Sequence, residues 1–581
     1  MSVSPSARSR WKVEPRDRAA EQRLEAELGL PTLVAAVLVR RGITDPAEAE
    51  RFIHPRLENL HPPEKLPDYE PAVREVLGAR ERNELIFIHG DYDVDGVTSA
   101  ALLYRFLKTI GAQVHVHVPH RMKEGYGIHH SAVQAAQEMG AKLFLTCDCG
   151  VAAHEQVKMA HEAGMRVVVT DHHELDGAIP AAEAVINPHR TDHDYPFREL
   201  SGVGVAFKFC AGLTQEIGHE LKNYYRAFLD LAVLGTVADV MPLVDENRII
   251  TRFGLQQLRE TKKVGLQALM KVADVPYGPS ADLKAWHIGF RLGPRLNAAG
   301  RIDDAALSLN LLLEKDALAA KRLAEQLNQM NADRKSEQDR ILDEALDQIF
   351  ADELYNKPLI VVNGEGWHPG IVGIVAGKIA ERFHRPAFVL TTDPDTQTAK
   401  GSARSIPGFN LADAIQILKS KGIATGGGHA AAAGVSMSLD RLQEVRSKLV
   451  LHAHQTLSDE DLIPVTPVDC ELDFHEVTQD ATQAMELLEP FGAGNPDPRF
   501  KVAGVELAKI DPTRNAEHYR VTFRHPDGTT RAGMGFGLGE RLAEVRVGSV
   551  ADILIRPAME TYQGVTTFKW QLKDFVVVEE A

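Results

Sequence analysis

His89-Gly-Asp91-Tyr-Asp93-Val-Asp95-Gly96 follows directly on Leu85-Ile86-Phe87-Ile88. The apolar run has the length and composition of a buried strand, and the acidic run leads into a helical pattern over residues 97–110 that Gly111 closes. The same order returns twice. Leu143-Phe144-Leu145 is followed by Thr146-Cys-Asp148-Cys-Gly150, and Val167-Val168-Val169 by Thr170-Asp171-His172-His173-Glu174. Helical patterns over residues 131–139 and 152–163 separate these runs, with Gly140 and Gly164 as stops. Strand–helix–strand repetition predicts a mostly parallel sheet with helices on both faces. Ligands of such sheets bind beyond the carboxyl ends of the strands. Three strands therefore deliver acids and histidines to one crevice. A fourth contribution, Asp239 in Gly235-Thr-Val-Ala-Asp239, follows the apolar run Leu231 to Leu234.

So many carboxylates in one place are unfavourable without a cation. Two like charges about 4 Å apart repel by roughly 4 kcal/mol at an effective dielectric near 20, and otherwise protonate or splay. A pair of divalent ions removes the conflict. Aspartate oxygens with histidine nitrogens and no clustered thiolates favour Mn²⁺, admit Mg²⁺ and disfavour a structural Zn²⁺. Two such ions can polarise a phosphate and generate the attacking nucleophile. A single Asp at a strand end is normally a helix cap or turn former. Capping does not call for Asp-x-Asp-x-Asp together with Asp-His-His, so the joint pattern reads as a metal site. Cys147 and Cys149, on either side of Asp148, read as buried packing residues. No Gly-x-x-x-x-Gly-Lys-Ser/Thr loop occurs, and Gly202-Val-Gly204 lacks the third small residue and acidic partner of a dinucleotide fingerprint.

With 581 residues the chain should hold several domains. Its 44% hydrophobic and 25% charged content excludes wholesale disorder. Four cysteines cannot form a disulfide framework and fit a reducing compartment. No apolar stretch reaches the roughly 18–20 residues that span a bilayer, and no secretory signal is visible, so a cytoplasmic protein without membrane contact is expected. The net charge of -16 does not exclude nucleic acid, because binding depends on a local basic groove.

The expected organisation is an N-terminal extension over residues 1–70, an α/β domain over 71–265 and a helical connector over 266–350. A second α/β domain over 351–457 and a β-rich domain over 458–581 complete it. Residues 305–350 contain neither Gly nor Pro and read as helical. Pro526-Asp527-Gly528 reads as a hairpin turn between two strands. Phe568 and Trp570 alternate with Lys569 in the manner of barrel-core packing.

At these residues the sequence resembles the DHH phosphoesterase superfamily, and more closely the bacterial RecJ single-strand-specific exonucleases. Asp171-His172-His173 is the triplet that names the superfamily; the run from His89 resembles its first motif, Asp148 its second and Asp239 its fourth. Arg291-Leu-Gly-Pro-Arg295-Leu-Asn297-Ala-Ala-Gly-Arg301 resembles a segment of the RecJ proteins. Gly366-Trp367-His368, Gly401-Ser402-Ala-Arg404-Ser405 and Gly426-Gly-Gly-His429 resemble the DHHA1 domain. Leu488-Glu-Pro-Phe-Gly-Ala-Gly-Asn-Pro resembles the entrance to an OB-like domain. The resemblance implies a parallel-sheet DHH domain, a long helical connector, an α/β DHHA1 domain and a C-terminal β-rich OB-like domain.

By position it implies Asp93, Asp95, Asp148, His172 and Asp239 as metal ligands for Mn²⁺ or Mg²⁺ at a two-metal site. Asp91 is a supporting acid, and His173 belongs at the scissile phosphate or leaving oxygen. His89 matches the His-x-x-x-Asp-x-Asp spacing of the pyrophosphatase branch without being assigned as a ligand. Arg121, Tyr126, Arg295, Asn297, Arg301, Ser402, Arg404 and His429 are the implied substrate contacts. The implied activity is metal-dependent 5′-to-3′ degradation of single-stranded DNA to 5′-mononucleotides in repair and recombination. Single-strand-binding protein and a helicase are its implied partners. The rival readings are a phosphodiesterase of short oligonucleotides or cyclic dinucleotides, and a replication scaffold without catalysis.

Overall fold

Five short strands, β1 (Leu85–His89), β2 (Gln113–His117), β3 (Leu143–Cys147), β4 (Arg166–Thr170) and β5 (Ala184–Ile186), pair in the order β2-β1-β3-β4-β5. Every pairing is parallel. All five residues of β3 are buried, as are four of the five in β1 and in β4. Strands covered on both faces read as continuous apolar runs, which is why these were visible in the sequence. The structure, a computed structural model, describes residues 9–120, 124–125, 127–175, 177–302, 304–562 and 565–581. The chain divides into two compact units, a larger one made of residues 12–300, 305–325 and 467–581, and a smaller one made mainly of residues 326–466.

Helix α1 (Val94–Thr109) starts three residues earlier than the apolar periodicity predicts. The cause is Asp93, whose side chain caps the helix by accepting from Gly96 N at 3.0 Å. Asp95 therefore lies in the first helical turn. Helices α2 (Gly202–Glu216) and α3 (Leu221–Ala238) follow, and Asp239 is the C-cap of α3. The run from Leu231 to Leu234 is thus helical, and the fourth acid arrives from a helix end.

Residues 305–350 form two helices instead of one. Ala306–Leu313 ends before Glu314, whose carboxylate accepts from Lys315 N and Asp316 N. Asp316 then caps the 35-residue helix Ala317–Ala351 through Ala319 N. In the smaller unit, the last turns of that helix pack Ile341, Ala345 and Ile349 against Ile360, Val362 and Trp367. There, β6 (Ile360–Glu365), β7 (Ala387–Asp393), β8 (Thr398–Arg404), β9 (Thr425–Gly428) and β10 (Ala432–Ser438) form a sheet in the order β9-β10-β8-β7-β6. Val361, Phe388 and Leu390 point to the opposite core from Ile360, Val362 and Val389, the two-residue alternation of a sheet covered on both sides.

The C-terminal strands β11 (Phe500–Pro512), β12 (His518–Arg524), β13 (Thr530–Phe536), β14 (Val550–Tyr562) and β15 (Val565–Glu579) pair in the order β11-β12-β13-β15-β14. A further β11–β14 pairing closes the ring, and β13–β15 is parallel. This is a five-stranded OB-like barrel. Trp570 is fully buried in it and Phe568 packs at its margin, as their alternation predicts.

Residues 18–53 share a core with this barrel. Helices Arg18–Leu28, Thr32–Arg40 and Pro46–Ile53 bury Leu24, Leu33, Val37, Phe52 and Ile53 in one core with Val502, Phe523 and Trp570. Arg248, on helix α4 (Asp245–Leu258), fastens the assembly. Its guanidinium donates to Phe52 O at 2.6 Å, Leu488 O at 3.0 Å, Leu487 O at 3.0 Å and Glu489 O at 2.8 Å. Among the described residues no helix is long and apolar enough to cross a membrane.

Arg248→Met leaves these main-chain carbonyls without their donor. A buried group left unpaired costs about 1–3 kcal/mol. Several at once should lower stability by at least about 3 kcal/mol, read as an earlier urea midpoint. A midpoint equal to that of the parent protein would show that Arg248 does not hold the assembly together.

Candidate metal centre

The strand ends and helix ends of the larger unit meet where the acids are. Asp91, Asp95, Asp148 and Asp171 are each no more than 3% exposed, and His172 is 8% exposed. His172 Nε2 lies 3.1 Å from Asp148 Oδ1, 3.7 Å from Asp239 Oδ2 and 3.8 Å from Asp95 Oδ2. Three donor sets each fit within 4.8 Å: Asp91 with Asp93 and Asp148, Asp95 with His172 and Asp239, and Asp148 with His172 and His173. Shared Asp148 and His172 make these overlapping positions, as two neighbouring cations require.

Backbone sets how Asp95 and Asp148 are held. Asp95 accepts from Gly202 N at 2.6 Å and Val203 N at 2.8 Å, so it sits on the N-terminus of α2, where the helix dipole favours a negative charge. Asp148 has φ of +60°, a left-handed conformation uncommon for side chains other than Asn and Asp. A Cβ at Gly202 would lie 2.4 Å from Asp148 Oδ1, and one at Gly235 would lie 2.4 Å from Asp95 Oδ1. These glycines let α2 and α3 come down on the acids. Gly202, part of an incomplete dinucleotide-like run, serves the close approach of α2 to Asp148.

The electrostatics point to a cation. Burial, then repulsion from Asp93, pushes Asp95 up to about 7. Burial and Asp95 do the same to Asp239, also to about 7. Burial and the surrounding carboxylates hold Asp148 well above the usual range. Asp148 Oδ1 faces His172 Nε2 without hydrogen-bond geometry, which leaves a buried oxygen with no donor. Oxygen donors with one or two imidazoles fit a divalent ion of the Mn²⁺ or Mg²⁺ class.

Asp171, which the sequence places in the motif but to which it assigns no role, has a different task. It accepts from Val151 N at 3.0 Å, His172 N at 2.7 Å and His173 N at 3.1 Å, and binds His173 Nδ1 at 2.8 Å. Burial works against its charge, but His173 and these N–H groups outweigh it and hold the carboxyl below its usual range. Burial likewise opposes charge on His173, and the Asp171 hydrogen bond overcomes it, lifting His173 to about 9. His89 is fully buried, stacks between His117 and Phe144, and is driven down to about 3 mainly by burial. Burial also pushes the Cys147 and Cys149 thiols up, as packing residues and not nucleophiles.

Of the expected substrate contacts, Arg121 and Tyr126 lie outside the described residues. Asn297 reaches the acids: its Oδ1 accepts from Val94 N at 3.1 Å, between Asp93 and Asp95. Arg295 donates to Arg291 O, and Arg301 to Gly370 O. In the smaller unit, Ser402 and Arg404 alternate on β8, and both flank Gly373 of helix Pro369–Phe383. Gly434 pairs with Ser402 and Gly427 with Gly434, which leaves a strip of bare backbone beside them. His429 is exposed just beyond the end of β9.

The sequence matches the DHH family, N-terminal domain, over residues 85–236, the DHHA1 domain over 356–452 and the RecJ OB domain over 468–574. It is 36% identical over 575 residues to the single-stranded-DNA-specific exonuclease RecJ of Bacillus subtilis, covering 99% of this chain and 72% of that one. The chain belongs to the RecJ family. The Escherichia coli member is 35% identical over 506 residues, with 84% of this chain and 86% of the relative covered. Crystalline RecJ from Thermus thermophilus in complex with Mn²⁺ superposes with a TM-score of 0.82 at 26% identity, over 99% of this chain and 80% of that one. A second RecJ crystal structure, bound to manganese, is 32% identical with a TM-score of 0.59, covering 68% of this chain and 96% of the other.

Raised carboxyls give the centre a pH signature. With Asp95 and Asp239 near 7 before a cation arrives, metal must expel protons below neutrality, so affinity should rise as pH passes 7. Stability of the metal-free protein runs the other way. A folded value above the unfolded one near 4 gives a contribution that is complete below about 4 and lost as pH rises through 7. Mn²⁺ should therefore raise the melting temperature more at pH 8 than at pH 6. Calorimetry at pH 6 in buffers of different ionisation enthalpy should register proton release. Equal stabilisation at both pH values without proton release would contradict this electrostatic account.

Proposed function

We propose that this chain is a metal-dependent exonuclease that degrades single-stranded DNA from the 5′ end and releases 5′-mononucleotides. The observation that carries the reading is the chain of three donor sets at the carboxyl edge of a parallel sheet, in which Asp148 and His172 each belong to two sets. Relatives alike over nearly the whole chain are single-stranded-DNA-specific exonucleases, including the barrel that a compact phosphodiesterase would not need. A scaffold without catalysis has no use for the full acid set.

Asp91, Asp93, Asp95, Asp148, His172 and Asp239 would hold two divalent ions, Mn²⁺ or Mg²⁺. When bound, such ions neutralise the carboxylates, polarise a phosphate and lower the cost of forming the attacking nucleophile. The chain's own groups do the rest. Asp171 fixes the Nδ1 of His173, so the other ring nitrogen carries a proton at neutral pH and can donate it to the scissile phosphate or leaving oxygen. Ser402, Arg404 and the glycine strip offer hydroxyl, guanidinium and main-chain donors to a terminal phosphate. On the outside of the barrel, Arg520 and the half-exposed Phe536 offer charge and a stacking surface to a strand. In the same reading the enzyme works in the cytoplasm, on strand unwound by a helicase and covered by single-strand-binding protein. Its four cysteines are free buried thiols, in keeping with a reducing compartment.

Asp148→Ala should abolish Mn²⁺-dependent nucleotide release from a labelled single strand with little loss of fold by circular dichroism. Arg404→Ala should instead cost about 1.5–3 kcal/mol of substrate use, roughly ten- to 150-fold, and leave Mn²⁺ affinity unchanged. Near-normal turnover in folded Asp148→Ala would sink the metal assignment. Release from the 3′ end would sink the polarity.

The barrel's contribution is tested on its surface, because removing residues after 458 would expose Leu24, Val37 and Phe52 and unfold the N-terminal helices with it. Arg520→Ala with Phe536→Ala should reduce processivity on long strands while sparing short oligonucleotides. Raising salt should shrink the Arg520 effect. Unchanged processivity on long strands would leave the barrel a structural role.

A further inference from the structure

We propose a second metal site, for a transition-metal ion of the Zn²⁺ class, at His475, His525 and Asp527 on the barrel, in addition to the catalytic centre. The three side chains offer two nitrogens and an oxygen that all lie within 4.8 Å of one another. They come from two segments 50 residues apart, the turn at residues 473–476 and the tip of the β12–β13 hairpin. His475 Nε2 is 2.9 Å from Asp527 Oδ2, and His525 Nδ1 is 3.1 Å from Asp527 Oδ1. A tetrahedral ion with bonds of about 2.0–2.1 Å separates its donors by roughly 3.3 Å. An ion therefore enters this triangle with small side-chain shifts.

The donors are held ready for it. Asp527 is anchored by Thr529 N, which donates to Oδ1 at 2.8 Å. The two imidazoles meet edge to face with centroids 4.8 Å apart. Both pack on Phe474, at 5.3 Å for His525 and 5.6 Å for His475. Phe474 is 3% exposed and stands against Trp570 in the barrel core. Rings seated on a core residue lose little freedom when they bind, and the exposed outer side leaves a fourth position for water.

The donor chemistry separates this site from the catalytic one. Two imidazoles and one carboxylate select zinc, nickel or copper over magnesium and manganese, which the oxygen-rich centre suits. An ion here would fasten the turn that leads into the barrel to the hairpin tip, a staple for the barrel and not a reagent for hydrolysis.

The test isolates the site by disabling the other. Full-length Asp148→Ala/His172→Ala protein is dialysed against buffered Zn²⁺ in excess Mg²⁺, and bound zinc is measured by mass spectrometry. One equivalent of zinc is expected to remain, with a rise in melting temperature that Mg²⁺ alone does not give. Adding His475→Ala, or separately His525→Gln, should remove both the equivalent and the rise, with the circular dichroism spectrum unchanged. Absence of zinc from the doubly substituted protein, or its retention after either histidine substitution, overturns the proposal.

Discussion

Repulsion among buried carboxylates is the interaction around which the larger unit is arranged. Asp95 feels Asp93, and Asp148 feels Asp95, Asp93, Asp91 and Asp239. Each close pair is worth roughly 4 kcal/mol at an intermediate dielectric. The two N–H donors on Asp95 return about 1.5–3 kcal/mol apiece, which does not match several neighbours at once. Protons or metal ions must make up the difference. Meanwhile the scaffold has to keep the acids from splaying, and it does so with rigid parts: parallel strand ends, a helix N-terminus on Asp95, and glycines at 202 and 235 that let helices press on the carboxylates.

Much of this was legible, because a parallel sheet writes itself as apolar runs and puts its chemistry directly after them. The runs at Leu85, Leu143 and Val167 are strands, and the acids after them converge. Cap and ligand are not exclusive roles, however. Asp93 caps its own helix through Gly96, and Asp95 caps a different helix through Gly202 and Val203. A cap leaves lone pairs on the carboxylate, so one residue can end a helix and still face a cation.

What the sequence hid depends on contacts between distant residues. The apolar stretch near residue 33 looks like any buried helix; only the folded chain shows that its partner is a barrel more than 450 residues later. Asp171 carries the same side chain as Asp148, at the end of the adjacent strand, yet four hydrogen bonds turn it toward the loop and His173. Composition and spacing contain no sign of which carboxylate receives N–H donors. The helix break at Glu314 was readable in principle, since Glu-Lys-Asp offers a local cap, but a stretch without Gly or Pro masked it.

These long-range contacts also change how the barrel relates to the chemistry. The loop that enters the barrel does not merely link domains. Ala493 O accepts from Leu243 N at 2.7 Å, and a Cβ at Gly494 would meet Pro242 at 2.9 Å, so the loop lies flat on the segment just after Asp239. Asn495 is fully buried and ties the loop to itself through Leu488 O and Pro490 O. Arg248, on the next helix, binds the same loop at Leu487, Leu488 and Glu489. Asp239 is the one acid of the centre that arrives from a helix C-terminus, without a strand behind it to hold its position. The backbone leaving it is braced instead by the entrance to the barrel. A domain that could be assigned to strand binding alone thus also supports the position of a carboxylate of the metal centre, and the glycines at 492 and 494 are needed because a Cβ there would press on the side chains of Leu243 and Pro242.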